Sequence, residues 1–271
     1  MEYLELQNQK IPVLGFGTWQ LTGEECVNGV ETALEKGYRH IDTAQIYGNE
    51  KQVGKGIESS NVDREEIWLT TKVWRDNLNR EKLKESVEKS LEKLGADYVD
   101  LLLIHWPFEE MDLEAVVNEM NELVDEGKVR NIGVSNFTPG QMEEAQKYSE
   151  KPILTNQIEY HPFLDQSEIL DKCREHDMML TAYSPLARGD VLGNKTLQNI
   201  GEKHGKSEVQ VALRWLIQQD NVSAIPKATS EEHIVQNLDI FDFELTGKEM
   251  ETISELAGND RKVDPDFGPW N

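Results

Sequence analysis

Short apolar runs alternate with longer amphipathic segments along nearly all of the 271-residue chain. The runs have the length of buried strands, and the segments between them have the periodicity of helices with one apolar face. Such alternation is typical of βα units repeated around a parallel sheet. The runs predict strands at Val13–Phe16, His40–Asp42, Ile67–Lys72, Val99–Ile104, Val129–Val134, Leu154–Ile158, Met179–Tyr183 and Val222–Ile225. Eight such strands favour closure, so we expect an α/β fold of the (β/α)8 TIM-barrel type.

The segments between the strands predict helices. In Arg80–Leu94, for example, Leu83, Val87 and Leu91 share one face and Gly95 follows as a stop signal. The same pattern predicts helices at Glu24–Glu35, Leu113–Asp125, Met142–Tyr148, Ser167–His176, Glu208–Gln218 and Glu231–Leu238.

Three segments exceed the basic barrel plan. Tyr3–Leu6 and Ile11–Val13 predict an N-terminal β-hairpin around Asn8 that would plug the barrel floor. Extra helices are predicted near the C-terminus at Thr196–His204 and Glu249–Leu256. The tail that follows, to Asn271, is rich in proline and aromatic residues, which predicts an ordered flap.

Composition indicates the number of domains and the cellular compartment. No stretch resembles a linker, so residues 1–271 are predicted to form a single domain. The two cysteines, Cys26 and Cys173, lack a disulfide framework, which favours a reducing cytoplasm. We also expect no membrane association, because there is no basic and then apolar leader and no apolar stretch near the ~20 residues that span a bilayer.

The chain is strongly acidic, with 51 acidic against 28 basic residues and a formal charge of −23. This excess argues against nucleic acid and anionic membranes as partners. It also suits a cytoplasm of high ionic strength, where screening relieves self-repulsion. Salt adaptation is therefore one hypothesis, and an acidic protein of ordinary salinity is the alternative, since lysine outnumbers arginine.

Polar residues stand at the ends of three consecutive predicted strands. Asp42, Lys72 and His105 end or follow the second, third and fourth strands, and Tyr47 lies five residues after Asp42. Taken singly, they could be a helix cap, a surface cation, a buried histidine and a loop aromatic. Because parallel barrels carry their chemistry at the carboxyl ends of the strands, we expect the four side chains to converge.

Convergence of these side chains would suit proton transfer to a carbonyl oxygen. A phenol normally loses its proton near pH ~10, about 4 kcal/mol from ready exchange at neutral pH. A lysine ammonium roughly 4 Å away supplies about that much at an effective dielectric near 20. Asp42 would hold Lys72 charged beside Tyr47, and His105 would hydrogen-bond the reacting oxygen.

Seven motifs extend this pattern along the chain from about residue 10 to 270. They are GFGTW at Gly15–Trp19, GYRHIDTAQIYGNE at Gly37–Glu50, TKVW at Thr71–Trp74, LLLIHWP at Leu101–Pro107, IGVSNF at Ile132–Phe137, NQIEYHP at Asn156–Pro162 and IPKAT at Ile225–Thr229. Together and in this order they resemble the aldo-keto reductase family. The short loops look like its prokaryotic reductases of small aldehydes, ketoaldehydes and diketo sugar acids.

The resemblance implies that Asp42, Tyr47, Lys72 and His105 are the catalytic residues of an oxidoreductase that reduces aldehydes or ketones to alcohols. Tyr47 would be the general acid. It also implies a nicotinamide cofactor bound without a Rossmann fold, in keeping with the absence of a G-x-G-x-x-G sequence after any predicted strand.

The same resemblance implies which residues hold the cofactor. Ser135, Asn136 and Gln157 would bind the carboxamide, Tyr183 would stack on the nicotinamide ring, and Ser184 would lie with Leu186 along the pyrophosphate. The full implied set is Gly17, Thr18, Ser135, Asn136, Gln157, Tyr183, Ser184, Leu186, Lys227, Ala228, Thr229, His233, Gln236 and Asn237.

Several positions depart from the pattern of NADPH-preferring members. Lys227 is retained, but Ala228 replaces a common serine, His233 replaces an arginine and Gln236 replaces a glutamate. Weaker phosphate recognition is expected from these changes, so the chain is predicted to prefer NADPH, and dual use with NADH is the alternative. Arg188 either compensates for the lost arginine or is a solvated loop cation.

Tryptophans fall beside the strands that carry the polar residues. Trp19, Trp74 and Trp106 could wall an apolar substrate pocket, although Trp106 could equally be a core residue. The short connection PFEEMDLEA suggests an open site for small or polar carbonyls, and Glu109 and Glu110 would disfavour highly anionic substrates.

Two other classes of protein are alternatives to a carbonyl reductase. A nicotinamide-sensing regulatory subunit would not need the four catalytic residues, and a metal-dependent barrel enzyme should cluster metal ligands at its strand ends. Cys173 and His176 lie on one predicted helix without a further pair, so no metal site is expected. The expected partner is a small carbonyl substrate, and the resemblance implies a monomer.

Overall fold

The computed structural model describes residues 1–270. Its strands are β1 (Tyr3–Leu6), β2 (Gln9–Pro12), β3 (Phe16–Gly17), β4 (His40–Asp42), β5 (Trp68–Val73), β6 (Val99–Ile104), β7 (Val129–Ser135), β8 (Ile153–Glu159), β9 (Met179–Tyr183) and β10 (Val222–Ala224). Strands β3 to β10 pair in sequence order, each parallel to its neighbour. Ala224 also forms a parallel bridge with Leu14, which closes the sheet. The predicted (β/α)8 barrel is confirmed.

The helices pack outside the sheet and bury their apolar faces against it. They are α1 (Gly23–Lys36), α2 (Glu50–Ser59), α3 (Leu83–Leu94), α4 (Leu113–Asp125), α5 (Pro139–Tyr148), α6 (Ser167–Glu175), α7 (Lys195–His204), α8 (Glu208–Ile217), α9 (Glu231–Leu238) and α10 (Gly247–Ser254). The extra helices α7 and α10 were predicted. In the part of the chain that the structure describes, no helix is both long and apolar enough to cross a bilayer.

Helix α2 was missing from the sequence-based prediction because its segment holds few large apolar residues and two glycines. The structure shows what the glycines do. A Cβ on Gly54 would lie 2.4 Å from the carbonyl oxygen of Leu94, and one on Gly56 would lie 2.7 Å from that of Val27. The glycines therefore let α2 pack closely between α1 and α3.

The hairpin formed by β1 and β2 is antiparallel and lies at the barrel floor, as predicted. Leu6 and Ile11 of the hairpin join a separate apolar cluster inside the barrel. The other buried members of that cluster are Trp68, Leu101, Leu103, Leu154 and Met179. Because the floor is filled by side chains, the open end of the barrel lies at the carboxyl ends of the strands.

Candidate active site

Lys72 and Asp42 form a fully buried ion pair at the ends of β5 and β4. The Nζ atom of Lys72 lies 2.5 Å from Oδ1 of Asp42 and 3.0 Å from the carbonyl oxygen of Thr43. Burial lowers the pKa of Lys72, although Asp42 opposes that effect. The carboxylate therefore stabilises a cation that the barrel interior would otherwise discharge.

Tyr47 lies in a short 3-10 turn just after β4, and its hydroxyl faces this pair. The Tyr47 oxygen is 3.5 Å from Nζ of Lys72, and the ammonium lies 5.1 Å from the centre of the ring. Burial, with a smaller contribution from the Asp42 charge, raises the pKa of Tyr47 well above its ordinary value. In the protein alone, burial therefore outweighs the lowering of this pKa that is expected from Lys72.

His105 lies next to Tyr47, and the centres of their rings are 5.6 Å apart. Burial, with the Lys72 charge second, lowers the pKa of His105 well below its ordinary value, so the imidazole is neutral at pH 7. Its Nδ1 atom is buried without a hydrogen-bond partner among the described residues. Nε2 is therefore the ring nitrogen left to meet a ligand.

A chain of hydrogen bonds connects the ion pair to the amide residues that follow β7 and β8. Gln157 Nε2 donates to Oδ2 of Asp42 at 2.8 Å, and the Ser135 hydroxyl donates to the Gln157 carbonyl at 2.8 Å. Asn136 donates to Ser135 Oγ at 3.0 Å, and Tyr183 donates its hydroxyl to Asn136 Oδ1 at 2.7 Å. The polar side chains of the site are therefore held in place by one another.

Except for Lys72, these groups line a cleft of about 670 Å³ at the carboxyl ends of the strands. Of the residues predicted from the sequence, its lining includes Gly17, Thr18, Trp19, Asp42, Tyr47, Trp74, His105, Trp106, Ser135, Asn136, Gln157, Tyr183, Ser184, Leu186 and Lys227. Lys72 lies behind Tyr47 and does not line the cleft. The predicted residues that also lie outside the lining are Ala228, Thr229, His233, Gln236 and Asn237.

The loop after β9 covers one side of the cleft in a strained conformation. Ser184, Ala187 and Arg188 all have positive φ angles, of 47°, 49° and 54°. L residues rarely adopt this region, and such strain is often kept at functional sites. The strained loop places the Arg188 guanidinium 5.2 Å from the centre of the Trp19 ring, across the cleft.

The apolar end of the cleft includes residues that sequence reasoning missed. Phe267 of the C-terminal tail lies edge-on to Trp106, with ring centres 5.6 Å apart, and to Trp74, at 6.2 Å. Ile46 also lines the cleft and is exposed. The aromatic and proline content of the tail was a signal of order, but nothing in the sequence indicated where the tail lies. Within residues 1–270, no group of three or more potential ligands is arranged to hold a metal ion.

Comparisons with known proteins agree with this arrangement. The model of the Aldo/keto reductase family matches residues 13–257. The chain is 44% identical to a 9,11-endoperoxide prostaglandin H2 reductase of Trypanosoma cruzi over 95% of this chain and 92% of the relative. It is also 44% identical to a glyoxal reductase of Bacillus subtilis, over 94% of this chain and 92% of the relative.

Solved structures agree as well. The aldose reductase of Schistosoma japonicum superposes with a TM-score of 0.95 at 31% identity, covering 100% of this chain and 99% of that one. Sequence, barrel topology and the arrangement of polar groups at the strand ends thus lead to one conclusion. The protein belongs to the aldo-keto reductase family.

Proposed function

We propose that this protein reduces aldehydes or ketones to alcohols, with NADPH as the preferred reductant and Tyr47 as the proton donor. The observation that carries the proposal is the 3.5 Å approach of the Tyr47 hydroxyl to Nζ of Lys72, beside a neutral His105. These groups meet at the inner end of a cleft large enough for a cofactor and a small substrate.

The chemistry of the cleft fits a nicotinamide dinucleotide. Amide and hydroxyl groups near the ion pair can both donate and accept, as a carboxamide requires. Towards the outside, Lys227 and Arg188 line the cleft, and neither forms an ion pair with another described residue. Two cations without a carboxylate partner, in a chain of charge −23, suit the phosphates of the cofactor. When bound, the cofactor supplies the hydride.

Tyr47 would deliver its proton as the carbonyl oxygen gains negative charge. A developing alkoxide is a base comparable to hydroxide and far stronger than a phenolate. A protonated Tyr47 can therefore donate to it even with a raised pKa. The Lys72 ammonium then stabilises the phenolate that remains, and Asp42 keeps that ammonium in place.

His105 would orient the substrate rather than transfer the proton. A neutral imidazole whose Nδ1 has no acceptor carries its hydrogen on Nε2, which can donate to the carbonyl oxygen. Two donors on one oxygen, the hydroxyl of Tyr47 and the N–H of His105, would polarise the carbonyl and fix the direction of attack.

The apolar end of the cleft indicates which carbonyls are accepted. Trp74, Trp106 and Phe267 surround the space next to His105, so this end of the cleft is largely apolar. We infer that neutral carbonyls, such as small ketoaldehydes and aromatic aldehydes, are preferred to highly anionic ones. The relatives named as glyoxal and methylglyoxal reductases support the small-carbonyl assignment.

The decisive experiment is NADPH consumption with methylglyoxal, glyceraldehyde and an aromatic aldehyde, for the wild type beside Tyr47→Phe. We expect the variant to lose about 10²-fold to 10⁴-fold in kcat while its affinity for NADPH is unchanged. Tyr148→Phe is the matched control, because the Tyr148 hydroxyl lies on the surface against Glu144. If the wild type binds NADPH but reduces no carbonyl, a cofactor-sensing role becomes the better account.

A further inference from the structure

Glu159 is a fully buried carboxylate at the end of β8 that plays no part in the chemistry described above. Its Oε1 accepts hydrogen bonds from the backbone N–H of Lys262 at 2.7 Å and from His161 Nε2 at 3.0 Å. Its Oε2 accepts from the backbone N–H of Val263 at 2.8 Å. Burial raises the pKa of Glu159, but these hydrogen bonds outweigh that effect and leave the pKa below its ordinary value.

His161 is itself fully buried and holds the carboxylate from the strand side. Its Nδ1 accepts from the backbone N–H of Phe163 at 3.3 Å, so the ring hydrogen of a neutral His161 is on Nε2, facing Glu159. The carbonyl oxygen of Phe163 accepts in turn from the N–H groups of Gly258 and Asp260. The end of β8 and the loop after it therefore hold the tail at two successive points, first through Phe163 and then through Glu159.

Beyond the second attachment, the tail becomes a wall of the cleft. Val263 and Phe267 line it, and Phe267 meets Trp74 and Trp106 through ring edges. The Arg75 guanidinium lies over the Phe267 ring, 4.4 Å from the ring centre. Phe267 is still 40% exposed, so its position depends on the backbone that carries it.

We propose that Glu159 is a positioning residue for the substrate: by fixing the backbone at Lys262 and Val263, it places Phe267 opposite Trp74 as the outer wall of the substrate pocket. The proposal rests on the proposed carbonyl reductase activity for its kinetic readout. Glu159 does not touch the reacting atoms. Its effect is therefore confined to carbonyls large enough to reach the Phe267 ring.

The substitution Glu159→Gln tests this role with minimal change in volume. An amide offers one oxygen and one NH2 group, so it can accept from only one of the two tail N–H groups and repels the other. We expect KM for an aromatic aldehyde to rise about tenfold, the effect of losing one charge-assisted hydrogen bond, while kcat and KM for methylglyoxal stay within about twofold. Glu168→Gln, an exposed position in the first turn of α6, is the matched control.

The variant Phe267→Ala separates the wall from its anchor. It should raise KM for the aromatic aldehyde by at least as much, and adding Glu159→Gln to it should raise that KM no more than about twofold further, because both changes remove the same wall. For Glu159→Gln, equal losses on both substrates, no loss on either, or an effect fully additive with that of Phe267→Ala would each overturn the proposal.

Hydrogen exchange of the wild-type protein provides a readout that needs neither activity nor a stable variant. The amides of Lys262 and Val263 should exchange at least about 10²-fold more slowly than the amide of Asp266, which is exposed and donates no hydrogen bond to another described residue. Equally fast exchange would refute the anchor. If no carbonyl is reduced but the two amides are protected, the proposed function fails while the anchoring of the tail stands.

Discussion

The ammonium of Lys72 lies 2.5 Å from the carboxylate of Asp42, and the exposed fractions of the two side chains are 0% and 1%. Neither charge is therefore solvated by water. The pair therefore costs desolvation energy that a surface ion pair does not, and it lies beside Tyr47, where the proposed proton transfer requires it.

Removing one partner of this pair should destabilise the protein more than removing both. We expect Lys72→Met to lower the free energy of unfolding by about 3–5 kcal/mol, because it leaves Asp42 charged, buried and unpaired. Adding Asp42→Asn should recover at least half of that loss, since an amide oxygen can still accept from Gln157. Urea denaturation of the three proteins provides the comparison. Equal stabilities of the single and double variants would show that the isolated carboxylate is tolerated.

The burial of His40 predicts that the folded protein loses stability in mild acid. Its ring is buried with Nε2 3.1 Å from the Thr70 hydroxyl, and burial lowers its pKa from 6.5 to about 4. Between these two pH values the unfolded chain binds a proton that the folded protein does not, so acidification favours unfolding. Full titration corresponds to about 3 kcal/mol. The His40→Gln variant should have a flatter dependence of unfolding free energy on pH between 6.5 and 4, and identical slopes would contradict the prediction.

His233 predicts how the cofactor preference can be changed. It is exposed in the first turn of α9, six residues after the cleft residue Lys227. Arginine there would add a planar, permanently charged group suited to a phosphate, so His233→Arg should raise the ratio of kcat/KM for NADPH over NADH by about tenfold. Val235→Arg on the same helix adds the same charge at another exposed position and serves as the control. An equal rise in the control would mean that net charge alone is responsible.

The net charge of −23 predicts that salt stabilises the folded state. Raising KCl from 0.1 M to 2 M shortens the screening length from about 10 Å to below about 3 Å and so reduces repulsion among the carboxylates. We expect Tm to rise by several degrees, despite some weakening of surface pairs such as Lys172 with Glu143. Thermal melting followed by circular dichroism measures the effect. A Tm that stays constant or falls would remove the hypothesis of salt adaptation.

The architecture and the inner part of the site could be predicted because both depend on local pattern. Apolar runs with strand length, followed by amphipathic helices, specify the barrel, and Asp42, Lys72 and His105 stand at strand ends in the sequence itself. Helix α2 was missed because Gly54 and Gly56 weaken its local signal, although they are what allows it to pack.

The amino-acid sequence by itself determined the order of strands and helices, the end of the barrel that carries the polar residues, and the family motifs. Only the tertiary structure decided which distant groups meet. Glu159 and Val263 are far apart along the chain, as are Trp74 and Phe267, and no periodicity connects them. The direction of the Tyr47 pKa was likewise a property of the folded site, because it depends on burial and on the nearby Asp42 charge. Local pattern records what each segment can form, whereas desolvation and long-range contacts exist only after the segments have packed.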